Sequence, residues 1–191
     1  MAIVDVSGSM SGLPMQVAVA LGLIIAELNT INKNKIITFS EKPSFFKIEG
    51  ESLKEKVTQV MSMPWGMNTN LDEVFDLLFS LESMPDTLFI FTDMQFDAAI
   101  GCRYSNNDKS TFFETIKKKC VDKNVVFPKI ICWNLRASKS AFPFNYEEKD
   151  VLMLSGYSQT LFKLISECKN FNPLNFVMDI LEKYLKDVVL E

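Results

Sequence analysis

The residues richest in chemistry come first in the chain. Asp5, Ser7 and Ser9 place one carboxylate and two hydroxyls at alternate positions, directly after the apolar run Ala2-Ile3-Val4. Hard divalent cations take oxygen ligands, and Mg²⁺ demands a near-octahedral set of them. A loop with an oxygen at every second residue can turn all three toward one point. Gly8 would relax the backbone where such a turn is tight. Asp and Ser are also common turn formers and helix caps, so this segment alone leaves both readings open.

Two further segments bear on the choice. Trp65-Gly66-Met67-Asn68-Thr69-Asn70 is a Gly-containing loop that leads into the helical pattern of residues 71–78. Leu88-Phe89-Ile90-Phe91-Thr92-Asp93 has the signature of a buried strand ending in a carboxylate. With these segments the chain resembles the von Willebrand factor A-type domain across essentially its whole length. That family holds a metal through Asp-x-Ser-x-Ser, a distant Thr and a more distant Asp. Carried over, the resemblance implies metal ligation by Asp5, Ser7 and Ser9, by Thr69 directly or through water, and by Asp93 through water. The implied ion is Mg²⁺, or Mn²⁺ or Ca²⁺. An ion held this way keeps residual positive charge and an open position for a Glu or Asp of a partner protein.

Four phrases sharpen the resemblance: Trp65-Gly66-Met67, Phe91-Thr92-Asp93-Met94-Gln95-Phe96-Asp97, Cys132-Trp133-Asn134-Leu135-Arg136 and Leu154-Ser155-Gly156-Tyr157-Ser158. They are similar to the carboxy-terminal A-type domain of a largely uncharacterised family of plants, fungi, protists and giant viruses. That family is related to the TROVE/Ro ribonucleoproteins, whose RNA-binding helical ring carries an A-type domain. The implied context is a longer protein that contacts RNA through regions outside this chain.

Composition narrows the function classes. The 191 residues fit one domain, with residues 1–191 read as a single A-like unit, and the 48% hydrophobic share excludes a largely disordered chain. Net charge is −4 and the isoelectric point is near 5.0, so the chain as a whole is no electrostatic nucleic-acid binder. Lys117-Lys118-Lys119 is the one sharp basic run and reads as a solvated helix face, with a phosphate contact as the alternative. There is no histidine, which excludes Ser-His-Asp and Cys-His catalysis and His-ligated zinc within this chain. Cys102, Cys120, Cys132 and Cys168 are scattered with no C-x-x-C pair, as expected of buried, reduced thiols in the cytoplasm or nucleus. The apolar run 17–26 is short for a membrane span and predicts a helix buried on most faces. Met1 stands one residue before the first strand, which predicts that the chain is the C-terminal part of a longer protein.

Pattern and punctuation alternate strands with helices, which argues for an open, mostly parallel α/β sheet covered on both faces. Strands are expected at 2–6, 35–39, 45–48, 87–92, 129–134 and 151–154. Helices are expected at 14–31, 52–61 with a Ser52/Glu55 capping box, 71–81, 108–123, 158–167 and 173–188, and a long loop at 136–150. The resemblance implies six strands in the order 3-2-1-4-5-6 with strand 3 antiparallel. Ligands of such sheets sit beyond the carboxyl ends of the strands where the order reverses. Asp5 and Asp93 would end the two strands that flank that point. Asn68, Asn70 and Asp97 suit either an outer ring of support or ordinary turns. Trp65 and Trp133 read as packing residues before ligand platforms, and the Met-rich stretch Met61, Met63 and Met67 suits either core filling or an adaptable contact surface. Arg136 follows a strand expected to end on the same edge, where an anionic partner and a surface ion pair both suit it.

These readings favour a metal-dependent protein-interaction module that is not an enzyme. The alternative is a Mg²⁺-dependent phosphoryl-transfer or hydrolytic enzyme, since a carboxylate-held metal can activate water. Neither a Walker A loop nor a histidine base supports that alternative.

Overall fold

Strands covered on both faces read as near-continuous apolar runs. In the computed structural model the first such run forms β1 (Ala2–Asp5), which is buried along its whole length. The structure describes residues 1–39, 42–63, 71–93, 112–136 and 150–159, together with 162, 163, 165, 177, 178, 181 and 182. The other strands are β2 (Lys35–Phe39), β3 (Phe45–Lys47), β4 (Thr87–Thr92), β5 (Lys129–Asn134) and β6 (Val151–Ser155). They form one sheet in the order β3-β2-β1-β4-β5-β6. β1 runs parallel to β2 and β4, β5 runs parallel to β4 and β6, and β3 lies antiparallel to β2. This is the predicted α/β fold, strand order included.

A short 3₁₀ helix (Gly8–Met10) follows β1. Then come α1 (Leu13–Leu28), α2 (Leu53–Met61), α3 (Leu71–Leu78) and α4 (Phe112–Asp122). Because strand side chains alternate between faces, the sheet feeds two cores. Ala2 and Val4 of β1, Phe89 and Phe91 of β4, and Ile131 and Trp133 of β5 pack with Ala18, Val19 and Leu23 of α1. Ile3, Ile90 and Cys132 face the other way, onto Val74 and Phe75 of α3 and Phe113 and Ile116 of α4. The α1 contact is close: a Cβ added at Gly22 would stand 2.5 Å from Val4 Cγ2.

Local chemistry sets several boundaries. α1 stops at Leu28, short of the expected 31, because Asn29 turns to extended geometry. Its Oδ1 accepts from the amides of Ile31 and Asn32, an alternative to helical bonding. α2 opens with the predicted capping box, Ser52 Oγ accepting from the Glu55 amide at 3.2 Å. α3 ends at Leu78 before the expected 81, with Ser80 Oγ donating to Leu77 O. Cys120 and Cys132 are buried free thiols, and burial pushes Cys132 up to about 12. Trp133 packs against Phe91 and Phe162 and donates to Gly156 O at 2.8 Å, the packing role expected of it. Within the basic run, Lys117 pairs with Asp150 and Lys119 with Asp76. Among the described residues no helix is long and apolar enough to cross a membrane. The expected loop at 136–150 and helices at 158–167 and 173–188 lie mostly outside the described residues.

Candidate functional site

β1 and β4 are neighbours at the centre of the sheet, and the order reverses between them. Their carboxyl ends carry Asp5 and Asp93, which are 1% and 0% exposed. Asp5 is the last residue of β1, and Asp93 follows Thr92, the last of β4. The fold thus brings together two carboxylates that are 88 positions apart by their numbers.

The motif loop shapes itself around Asp5. Asp5 Oδ1 accepts the Ser7 amide at 2.9 Å, and the Ser7 and Ser9 hydroxyls share a hydrogen bond of 2.9 Å. The 3₁₀ turn places Gly8 between them, with bonds from Met10 N to Ser7 O and from Ser11 N to Gly8 O. Gly8 itself differs from expectation. Its φ is outside the left-handed region and an added Cβ would meet nothing within 4 Å, so the turn does not require glycine there. The left-handed conformation falls at Gly12, φ +92°, where the chain swings from the 3₁₀ turn into α1.

On the β4 side, Thr92 Oγ1 donates to Asp5 Oδ2 at 2.8 Å. Burial pushes the Asp5 carboxyl above its ordinary value. The bonds from Ser7 and Thr92 oppose that shift, and the nearby charge of Asp93 adds to it. Asp93 is engaged in interactions of its own, yet its buried Oδ2 accepts no hydrogen bond among the described residues. Two buried carboxylates and a paired set of hydroxyls match the oxygen chemistry a hard cation requires. Among the described residues no group of three or more His, Cys, Asp or Glu is placed to hold a metal, so hydroxyls must complete any donor set here.

Four of the five sequence-predicted ligands, Asp5, Ser7, Ser9 and Asp93, thus stand on one edge of the sheet. Thr69 lies outside the described residues, as do Trp65, Met67, Asn68, Asn70 and Asp97. The sequence assigns no role to one contributor, Thr92, and expects a different contact of another, Arg136, placed on this edge for an anionic partner or a surface ion pair. Thr92 orients Asp5, and the signal was its place on the Ile3/Ile90 face at the end of the apolar run Leu88-Phe89-Ile90-Phe91. Arg136 reaches the motif loop and hydrogen-bonds Ser9 O through Nη1, a contact over 127 positions that spacing does not reveal.

A comparison with a solved structure agrees with this architecture. The Ro (RSR) protein of Deinococcus radiodurans superposes with a TM-score of 0.56 over 83% of this chain and 31% of that one, at 19% identity. At that identity the likeness is one of fold, of the von Willebrand factor A-like kind. Proximal thread matrix protein 1 of the mussel byssus gives a TM-score of 0.49 at 17% identity, over 87% of this chain and 43% of that one. "Uncharacterized protein L728" of Acanthamoeba polyphaga mimivirus is 42% identical over 198 aligned positions, which cover 98% of this chain. The chain spans only 34% of the viral protein's length. A family model described as a domain of unknown function, DUF7788, matches residues 1–183, and the chain belongs to that family.

Proposed function

We propose that this chain is a divalent-metal-dependent protein-interaction module that receives an acidic side chain of a partner. One observation carries the reading: Asp5 and Asp93 are buried side by side at the carboxyl ends of adjacent central strands, with the Ser7–Ser9 hydroxyl pair against Asp5. Burying two carboxylates together is costly unless a cation compensates them. Asp5, Ser7 and Ser9 would hold Mg²⁺, or Mn²⁺ or Ca²⁺, with Thr69 and Asp93 supporting. The ion would supply the positive charge that attracts the partner's carboxylate. In this reading the module works in the cytoplasm or nucleus within a longer TROVE-like protein, RNA being contacted by other regions and no membrane being involved. The similarity to the Ro protein fold and the longer viral relative support that context.

The test is a thermal shift. A ligand that binds only the folded state stabilises it by about 2.7 kcal/mol at a hundredfold excess over its Kd. Mg²⁺ or Mn²⁺ should raise the melting temperature of the wild type and leave Asp5→Ala, still folded, unmoved. Identical responses would sink the reading. Metal-dependent turnover of phosphoesters, nucleotides or peptides that disappears in Asp93→Asn would replace the module with an enzyme.

A further inference from the structure

The motif loop is held from a distance. The 3₁₀ turn Gly8–Met10 is a single short turn, and such turns have poor hydrogen-bond geometry of their own. Its backbone bonds use the carbonyls of Ser7 and Gly8. The next carbonyl, Ser9 O, accepts from Arg136 Nη1. A cation on one of the two closing carbonyls of a turn, here Ser9 O ahead of Met10 O, is a capping contact delivered from the end of another strand.

The stalk that delivers it is fixed. The Arg136 amide donates to Asn134 Oδ1 at 2.8 Å. The Leu135 amide donates to Thr92 O at 2.9 Å, and the Gly156 amide to Asn134 O at 3.1 Å. Tyr157 closes the same turn through a hydroxyl bond to Leu135 O. The backbone beneath Arg136 is therefore tied to β4 on one side and to the segment after β6 on the other. The guanidinium itself is at the surface, where an isolated ionic contact contributes little to global stability. Its effect must be local. Ser9 is the residue whose carbonyl is held and whose hydroxyl pairs with Ser7 at 2.9 Å.

We propose that Arg136 is a positioning residue: by capping Ser9 O it keeps the motif loop in the conformation that pairs the Ser7 and Ser9 hydroxyls beside Asp5. Its consequence for metal binding rests on the function proposed above, whereas the positioning itself does not. Both are measured on the 191-residue chain as wild type, Arg136→Ala and Arg136→Lys. The first readout is amide hydrogen exchange without metal. Arg136→Ala should exchange faster across residues 7–12, with the strands unchanged, and Arg136→Lys, which keeps a charged donor, should restore most of the protection. The second readout is Mn²⁺ affinity, expected to weaken about tenfold in Arg136→Ala, as loss of an outer supporting contact commonly does, and to recover in Arg136→Lys. Unchanged exchange across residues 7–12 in Arg136→Ala overturns the proposal whatever the metal does. A local exchange effect in a wild type that binds no Mn²⁺ supports the positioning role and removes the metal reading instead.

Discussion

Thr92 Oγ1 and Asp5 Oδ2 are joined at 2.8 Å across the β1–β4 pair, one register step beyond Val4 and Phe91. The bond locks the two central strands together at the edge where the candidate site lies. With the Ser7 amide on Oδ1, it holds the Asp5 carboxylate from both oxygens, so Asp5 is set in place before any ion arrives. Preset orientation of a ligand by a group outside the ligand set, as Thr92 supplies here, tunes metal sites generally.

Thr92→Val tests the contact with little change of shape. It removes the donor to a buried carboxylate, and hydrogen bonds to charged groups are worth about 1.5–3 kcal/mol. For a chain of this size that corresponds to a melting temperature lower by about 3–12 °C. Thr92→Ser, which keeps the hydroxyl, should lose less. If Thr92→Val unfolds in urea at the wild-type midpoint, the bond contributes nothing.

Asp5→Asn should move stability the other way. Asp5 is buried beside a second carboxylate, and both influences push its carboxyl up, so its ionised form is held at a cost. Asn keeps the size and an acceptor for the Ser7 amide without the charge. We expect metal-free Asp5→Asn to melt a few degrees above the wild type, about 1 kcal/mol gained being about 2–4 °C, and to show no response to Mg²⁺. A lower melting temperature would mean that the hydrogen bonds to Asp5 outweigh the cost of its charge.

Much of this was legible because it is local or periodic. β4 and β5 match the predicted strands to the residue, since unbroken apolar runs flanked by polar residues admit little else. Ser52 and Glu55 announced their capping box by spacing alone. Spacing alone singles out Asp5, Ser7 and Ser9, whereas a family resemblance joins Asp93 to them, because no composition rule joins residues on different strands. What stayed hidden depends on packing. Asn29 ends α1 through side-chain bonds that compete with a helical pattern still running to Ile31. Gly12, not Gly8, carries the left-handed turn, because the sharp bend lies between the 3₁₀ turn and α1. Arg136 finds Ser9 only once β5 and β1 lie in the same sheet.

Gly22→Ala sets two effects against each other. Within a helix, Ala is favoured over Gly by about 1 kcal/mol. Here the new methyl would stand 2.5 Å from Val4 Cγ2, on a fully buried and branched side chain that has little room to move. Overpacking of this kind costs about 1–3 kcal/mol, so a net loss of up to about 2 kcal/mol is expected. The same substitution in a Val4→Ala background should cost less, because the clashing methyl is gone. Equal costs in both backgrounds would show that α1 shifts away from β1 freely.

The amino terminus of this 191-residue chain gives a pH dependence with a definite sign. The Met1 ammonium donates to Thr87 O at 2.6 Å, and the Phe89 amide donates to Met1 O at 2.9 Å. Burial lowers the amine from its ordinary 8.0 to about 6, and the charge of Asp86 opposes that shift. Between those values the unfolded chain binds more protons than the folded one, so stability rises with pH across the window. Below pH 6 both states are protonated and the full penalty applies; above pH 8 it is gone. A shift of this size corresponds to about 2–3 kcal/mol between the two limits. Asp5, with its raised value, works in the opposite direction, so the measurement belongs in the Asp5→Asn background. Urea unfolding below pH 6 and above pH 8 should show the rise, and acetylating the amino terminus should flatten it. If the acetylated chain keeps the same slope, the dependence belongs to another group and the amine is not held in the folded state as described.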